Sequence, residues 1–425
     1  MKEILKKALT EESDILCMES FSKEILFEDG DWIKEEESSF GAGLRIFEEG
    51  KIGIAWTKDK REILDLKNRA KGVLFKNPGY YIVPEEEEYE KIFSFDEENI
   101  KKEDDFFIEE LNKYIKNALK VNYIKKVLYA GFDISKGNVI LMNSTGMELE
   151  FKKTVFSFFI SLLGEKNGEV ESGGEGKSAV FLNDIDFEEV FEEAINDVYD
   201  RFGGKSLEVG KYEVVFSEKS FCSILSLISG WFLSSNLEKN LTPLKGKEGK
   251  LIGVEFLNII NDGIMDRGIA SSPFDAEGVK KRKMYIVQNG RFIDFLYDLR
   301  RAKLFGKNST GSASRLFSTL PHPNCDNIYI EEGDASDKEI FEGEVFYIKD
   351  LMGLHLVDPV NLIFSFGATG VFYEKGRKKY SVRGVTVSGN LLELLSNIVA
   401  IGDKIKFYGK IGSPKIRVKE VWVAG

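Results

Sequence analysis

Two hydrophobic rhythms alternate along the first half of the chain. Residues 15–27 carry the alternation of a strand. Gly43-Leu-Arg-Ile-Phe47 and Lys51-Ile-Gly-Ile-Ala-Trp56 flank Glu48-Glu49-Gly50 as the arms of a hairpin. Phe106, Ile108, Leu111, Ile115 and Leu119 recur at helical spacing and predict an amphipathic helix over residues 100–121. Shorter helices are expected at 1–10 and 60–70, an acidic loop at Pro84 and residues 85–88, and a hairpin turn at Lys136-Gly137-Asn138. Asp186 heads a helix with an acidic first turn, which stops at Gly203-Gly204. That double glycine is the predicted boundary between a mixed N-terminal domain, 1–204, and a strand-rich C-terminal domain, 205–425.

Beyond the boundary, strand patterns dominate. Tyr212-Glu-Val-Val-Phe216 alternates, and Met284-Tyr-Ile-Val287 and residues 292–297 flank Asn289-Gly290, a pair that favours a type I′ turn. Strands are also expected at 345–348, 362–366, 370–373 and 380–387, with a late helix over 391–400. Residues 221–236 read as a helix with a broad apolar stripe: Phe221, Ile224, Leu225, Ile228, Phe232 and Leu233. Few strand–helix–strand crossovers can be drawn, so the fold class is α+β, with two domains.

Composition narrows the functional classes. The 425 residues are 43% hydrophobic and 31% charged, a globular balance. The longest apolar run, around residues 155–163, is too short to span a membrane, and residues 1–4 turn acidic at once, so a cytoplasmic protein is expected. A net charge of −12 disfavours direct nucleic-acid contact; the basic clusters at 280–283, 300–301 and 377–379 read as solvated rims. Three distant cysteines argue against a disulfide framework.

Candidate chemistry is sparse. Only two histidines exist, His322 and His355. His322 and Cys325 form an H-x-x-C spacing without a second ligand pair, and His355 reads as a packed strand residue. Gly173-Gly-Glu-Gly176-Lys177-Ser178 resembles the tail of a phosphate loop, but Glu171 stands where a glycine is needed and a strand pattern follows at 179–182. A flexible hairpin loop is therefore expected. Asp275 and Glu277, two apart, would face one side of an extended chain and suit a hard cation or acid–base work; the plainer reading is a turn. Ser309-Thr-Gly-Ser-Ala-Ser314 lacks a nucleophile elbow.

Several motifs then follow one another as in a known family. Gly41-Ala-Gly-Leu-Arg-Ile-Phe with Gly53-Ile-Ala-Trp-Thr57, Gly278, Val287-Gln-Asn289-Gly290-Arg-Phe292, Leu296-Tyr-Asp298, Ala302 and Ser309-Thr-Gly311 run in order. Val382-Arg-Gly-Val-Thr-Val-Ser-Gly-Asn390, Leu394-Leu-Ser-Asn-Ile-Val-Ala-Ile-Gly-Asp403 and Gly412-Ser-Pro-Lys-Ile-Arg-Val complete the series. Together they resemble the TldD/PmbA family, some of whose members carry the label "modulator of DNA gyrase".

The resemblance implies a cytoplasmic peptidase built from two related chains. TldD-type chains hold zinc with His-Glu-x-x-x-His on a helix and a C-terminal cysteine; PmbA/TldE-type chains lack these and act as partners. Setting Gly230 on the glycine that precedes the motif's last histidine places Ser226, Leu227 and Trp231 at the His, Glu and His positions, with the cysteine position near Tyr408. None of these replaces the original donor. The resemblance thus implies a PmbA/TldE-like subunit with no catalytic residue and no metal of its own. Zinc is expected in a TldD-type partner, joined as a heterodimer around a peptide substrate. Asp275, Glu277, Gly278, Asn289, Gly290 and Gly311 are the peptide-binding or family-motif candidates. The alternatives are a homo-oligomeric peptide- or protein-binding module, and a hydrolase built on Asp275, Glu277 or a hydroxyl.

Overall fold

The computed structural model describes residues 1–77, 79–81, 88–357 and 360–425. The acidic loop expected at 84–88 falls outside them except for Glu88.

The first half is built on one antiparallel sheet. Its strands are β1 (Ser13–Glu28), β2 (Asp31–Glu48), β3 (Lys51–Thr57), β4 (Phe75–Lys76), β5 (Ile124–Asn143), β6 (Glu148–Lys166) and β7 (Glu169–Ala179), in the order β4-β3-β2-β1-β5-β6-β7. Four helices accompany it: α1 (Lys2–Ala8), α2 (Leu66–Lys71), α3 (Asp104–Ala118) and α4 (Phe187–Arg201). The apolar face of α3 (Phe107, Leu111, Tyr114, Ile115) and that of α4 (Val190, Phe191, Ala194, Val198) cover Phe132, Phe156 and Phe158 of the sheet. Asp186 caps α4 by accepting the N–H groups of Glu188 and Glu189 at 3.0 and 3.1 Å. A second core packs Leu5 of α1 and Leu66 of α2 against Ile15, Leu44 and Ile140.

The second half runs through β8 (Gly210–Phe216), α5 (Glu218–Ser229), α6 (Ser234–Glu238), β9 (Ile259–Asp262), β10 (Lys283–Gln288), β11 (Arg291–Phe292), α7 (Leu299–Leu304), β12 (Ala313–Ser314) and β13 (His322–Pro323). It continues through β14 (Asn327–Ile330), α8 (Asp337–Ile340), β15 (Glu344–Met352), β16 (Ile363–Glu374), β17 (Arg377–Asn390) and α9 (Leu391–Ser396). The last strands are β18 (Ile398–Ile401), β19 (Lys406–Tyr408), β20 (Ile411–Ser413) and β21 (Ile416–Ala424). One sheet has the order β11-β10-β9-β14-β20-β19 and another β17-β16-β15-β8-β21-β18; because β17 also pairs with β21, the second closes into a barrel. Helix α5 packs against strands of both sheets, burying Phe221, Ile224, Leu225 and Ile228 in the main core. The architecture is α+β, as the patterning predicts. No helix among the described residues is long and apolar enough to cross a membrane.

Several local expectations are corrected. Lys136-Gly137-Asn138 makes no turn: β5 passes straight through, with Gly137 opposite Ser20 on one side and Lys153 on the other. The glycines at 173–176 form no loop but lie in β7; of the strand expected at 179–182 only Ala179 belongs to β7, and Leu182 opens a 3₁₀ turn over Leu182–Asp184. The reason is the overlying α4: a Cβ on Gly173 would sit 2.6 Å from the Asp197 carboxylate and 2.8 Å from the Val198 nitrogen. The helix expected over 221–236 ends at Ser229, turns through 3₁₀ residues Gly230–Phe232 and resumes as α6. There the Asn236 side chain donates to the Gly230 carbonyl at 2.7 Å, supplying a bond that an unbroken helix would make within its backbone. The helix expected over 391–400 stops at Ser396, because β-branched Ile398 and Ile401 pair with β21 instead. Only Phe292 of residues 292–297 is in a strand; the Leu296 N–H leaves to bond the Phe232 carbonyl at 2.7 Å. His355 is exposed in a 3₁₀ turn rather than packed in a strand.

Candidate functional site

The Asp275–Glu277 pair lies where the two halves meet. Phe274 and Lys280 form an isolated bridge, and Gly278 reverses the chain between them at φ 88°. One oxygen of Asp275 accepts the N–H groups of Glu277 (2.9 Å) and Val279 (3.0 Å), and the other accepts that of Ala313 (3.0 Å). Glu277 accepts the Leu299 N–H at 2.9 Å and an Arg45 guanidinium N–H at 3.3 Å. Arg45, from β2, also clasps Asp14 at the start of β1. Arg315 completes the network by donating to Asp14 at 2.9 Å and to the Ala276 carbonyl at 3.1 Å. The Arg45 and Glu277 side chains are 1% and 0% exposed.

Burial opposes ionisation of Asp14, yet Arg315 and Arg45 outweigh it and hold that carboxyl below its ordinary range. Burial pushes Asp275 upward against the pull of its three N–H donors. Burial likewise raises Glu277, with Arg45 opposing and the Asp275 charge adding to the rise. Glu277, through Arg45 of β2, ties the two halves together, whereas the hydrogen bonds of Asp275 go to Glu277, Val279 and Ala313 and brace the turn within the second half. Gly311, at φ 70°, joins this cluster by passing against the Lys280 carbonyl. Asn289 and Gly290 do not. They make the left-handed β10–β11 turn (φ 49° and 71°), held by the Asn289 N–H on the Asn258 side chain at 2.7 Å.

Helix α5 carries the other sequence candidates. Ser217 caps it, accepting the Ser220 N–H at 3.1 Å. Ser226 is exposed, Leu227 is half-buried against the core, and Trp231, in the 3₁₀ turn, is 1% exposed within it. Strand β19, which ends in Tyr408, packs along the helix; the Cys222 thiol approaches the carbonyls of Lys406 (3.9 Å) and Ile411 (3.4 Å). His322 and Cys325 part company. The histidine is exposed on β13, whereas the thiol is buried 3.8 Å from the Ser229 carbonyl. Among the described residues, no group of three or more His, Cys, Asp and Glu side chains is placed to hold a metal.

Beside the Asp275 turn, a cavity of about 250 Å³ opens between β1, β5 and β6 and the loops of the second half. Lys281 reaches it from the basic cluster, but is only 9% exposed and pairs with Asp326 at 2.5 Å, so the solvated-rim reading fails for that residue. Lys153, Arg315, Asp326 and Lys410 were not singled out by sequence reasoning, and Lys281 was read only as part of a solvated basic cluster. The one usable signal was Lys153 within the otherwise alternating strand at 148–166, an ionisable residue between aromatic positions.

Comparison with known proteins places this geometry in context. Residues 90–201 match the model of the PmbA/TldA metallopeptidase central domain, and residues 209–425 that of the PmbA/TldA metallopeptidase C-terminal domain. An uncharacterized protein of Methanocaldococcus jannaschii is 30% identical over 387 residues, covering 90% of this chain and 88% of its own length. The chain belongs to the PmbA/TldD metallopeptidase family. The metalloprotease PmbA of Escherichia coli O157:H7 is 25% identical over 296 residues, 69% of this chain and 64% of that protein. TldE from Thermococcus kodakarensis shares the fold, with a TM-score of 0.89, 22% identity, and coverage of 100% of this chain and 98% of that one.

Membership of a metallopeptidase family raises the question of whether this chain's residues fit a metal. Ser226, Leu227, Trp231 and Tyr408, the residues that the sequence sets against the metal motif by resemblance, do not. Serine is a poor zinc ligand, leucine has no donor atom, and the indole of Trp231 presents an N–H rather than a lone pair and is packed in the core. The Tyr408 phenol is pushed far up by burial and by the Glu175, Glu193 and Glu218 charges, so it stays protonated and is no substitute for a thiolate.

Proposed function

We propose that this PmbA/TldD-family chain is a non-catalytic, PmbA/TldE-like subunit of a cytoplasmic peptidase. It would shape a peptide path beside a metal-bearing TldD-type chain. What supports the reading is the donor set on and around α5: Ser226, Leu227, Trp231 and Tyr408, the residues expected at the family's metal positions, offer no imidazole, carboxylate or thiolate. Zinc, in this reading, belongs to the partner, where it would polarise a peptide carbonyl and activate water. The partner's sequence should show His-Glu-x-x-x-His.

The test is co-expression of this chain with such a partner, followed by metal analysis and peptide cleavage of each chain and of the complex. Zinc and cleavage are expected in the complex, and neither in this chain alone. Stoichiometric zinc in the isolated chain, or chelator-sensitive cleavage by it, overturns the proposal. Failure to associate, together with stable self-association, favours the homo-oligomeric binding module.

A further inference from the structure

The cavity beside the Asp275 turn has two unlike walls. Leu16, Met18, Val139, Phe151 and Phe274 make one apolar. Lys281, Arg315 and Lys410 make the other cationic. Two of these charges are matched: Lys281 by Asp326 at 2.5 Å, and Arg315 by Asp14 at 2.9 Å. The carboxylate of Asp275 is occupied by its three N–H donors. Lys410 has only neutral acceptors, the Cys325 carbonyl at 2.6 Å and the Asn324 side chain at 3.4 Å. Lys153 lies outside the lining; its ammonium, 6.0 Å from the centre of the Phe151 ring, donates to the Ser271 carbonyl at 3.1 Å. Neither lysine has a carboxylate partner among the described residues.

These cations are gathered together. Lys153 and Lys281 bond the consecutive carbonyls of Ser271 and Ala270, and Lys410 bonds the carbonyl of the residue preceding Asp326. Burial, reinforced by repulsion from Lys281, pulls Lys153 down to about 7. Partly buried, unmatched ammonium groups are unfavourable unless an anion joins them. The opposite wall adds a second requirement, since an inorganic ion would leave it facing water. At about 250 Å³ the space lies below the roughly 300–1,000 Å³ of pockets for drug-sized ligands, so one residue or a small acid fits and an extended peptide does not.

We propose that this cavity binds a carboxylate carrying a short apolar group, as found at the C-terminus of a peptide ending in an aliphatic or aromatic residue, or in a free small acid. Lys410 holds the carboxylate, and the apolar wall takes the side chain. The inference concerns this chain alone and stands whether or not a metal-bearing partner exists.

Calorimetric titration of the full chain tests it, using N-acetyl-leucine, N-acetyl-leucinamide, the tripeptide Ala-Ala-Leu and 4-methylpentanoate at constant ionic strength. N-acetyl-leucine is expected to bind at least about tenfold more tightly than its amide, and Lys410→Met to weaken it by about the same factor. Lys126→Met, which removes a surface lysine paired with Asp29, leaves binding unchanged. Tighter binding of the tripeptide than of 4-methylpentanoate identifies a peptide terminus, and equal binding a free acid; either supports the site. Equal binding of acid and amide by the wild-type chain, or no binding of either, overturns it without recourse to a variant. So does undiminished binding by a folded Lys410→Met chain.

Discussion

At the scale of single residues, the Asp275 turn shows how burial changes the meaning of a charge. Glu277 carries a raised carboxyl because burial outweighs the attraction of Arg45. The folded state therefore holds its proton at a pH where the unfolded chain has released it. The stabilising contribution is full below the ordinary value of 4.5 and is lost as pH rises toward neutrality. Glu277→Gln should flatten the pH dependence of the unfolding free energy between those limits, which urea titrations at several pH values would reveal; an unaltered slope there would refute the assignment. This residue was visible in the sequence as one of a pair two apart, but its role was not. An extended chain would have put both carboxylates on one face, whereas Gly278 turns the chain and gives each its own donors. Arg45 and Arg315 had no sequence signal, because their partner, Asp14, is remote in the chain and only the fold brings the three together.

Among the elements, those with a strong local rhythm were legible and those decided by neighbours were not. The β2–β3 hairpin, α4 with its aspartate cap, and the Asn289-Gly290 turn all follow from composition and spacing. Strand β7 is the counterexample: glycines that suggest a loop are there because α4 crosses so closely that a side chain has no room. Gly173→Val is accordingly expected to cost about 1–3 kcal/mol by overpacking, and a rise in hydrogen exchange across α4 would register it. A loop would tolerate the same change with little effect. Helix α5 begins at Glu218, three residues before the expected start at Phe221, and its expected end ran past Gly230, where the Asn236 side chain donates to the backbone carbonyl.

On the scale of the molecule, the two halves are held by charges that neither half could bury alone. Asp14 serves two arginines, one from each side of the junction, in a site from which water is excluded. Asp14→Asn would leave Arg45 and Arg315 facing each other without their anion, and a loss of about 3–5 kcal/mol is expected by urea denaturation. Peptides from both halves should then exchange their amides faster together; a change confined to residues 1–204 would show that the junction does not couple them. The sequence could indicate an α+β chain in two parts, since each part has its own rhythm. The joint between them has none, being made of residues as distant as 14, 45, 277 and 315. The long first sheet also has two ends to its ladder. One is the two-residue β4; the other is β7, with Glu169, Glu171 and Glu175 along it and the Gly174 N–H taken by the Asp197 carboxylate at 3.2 Å. Residues 31–41 of β2, paired on the β1 side alone among the described residues, leave a further stretch of ladder open, and the Asp31, Lys34, Glu35, Glu36 and Glu37 charges along it are what discourage a neighbouring molecule from extending the sheet there.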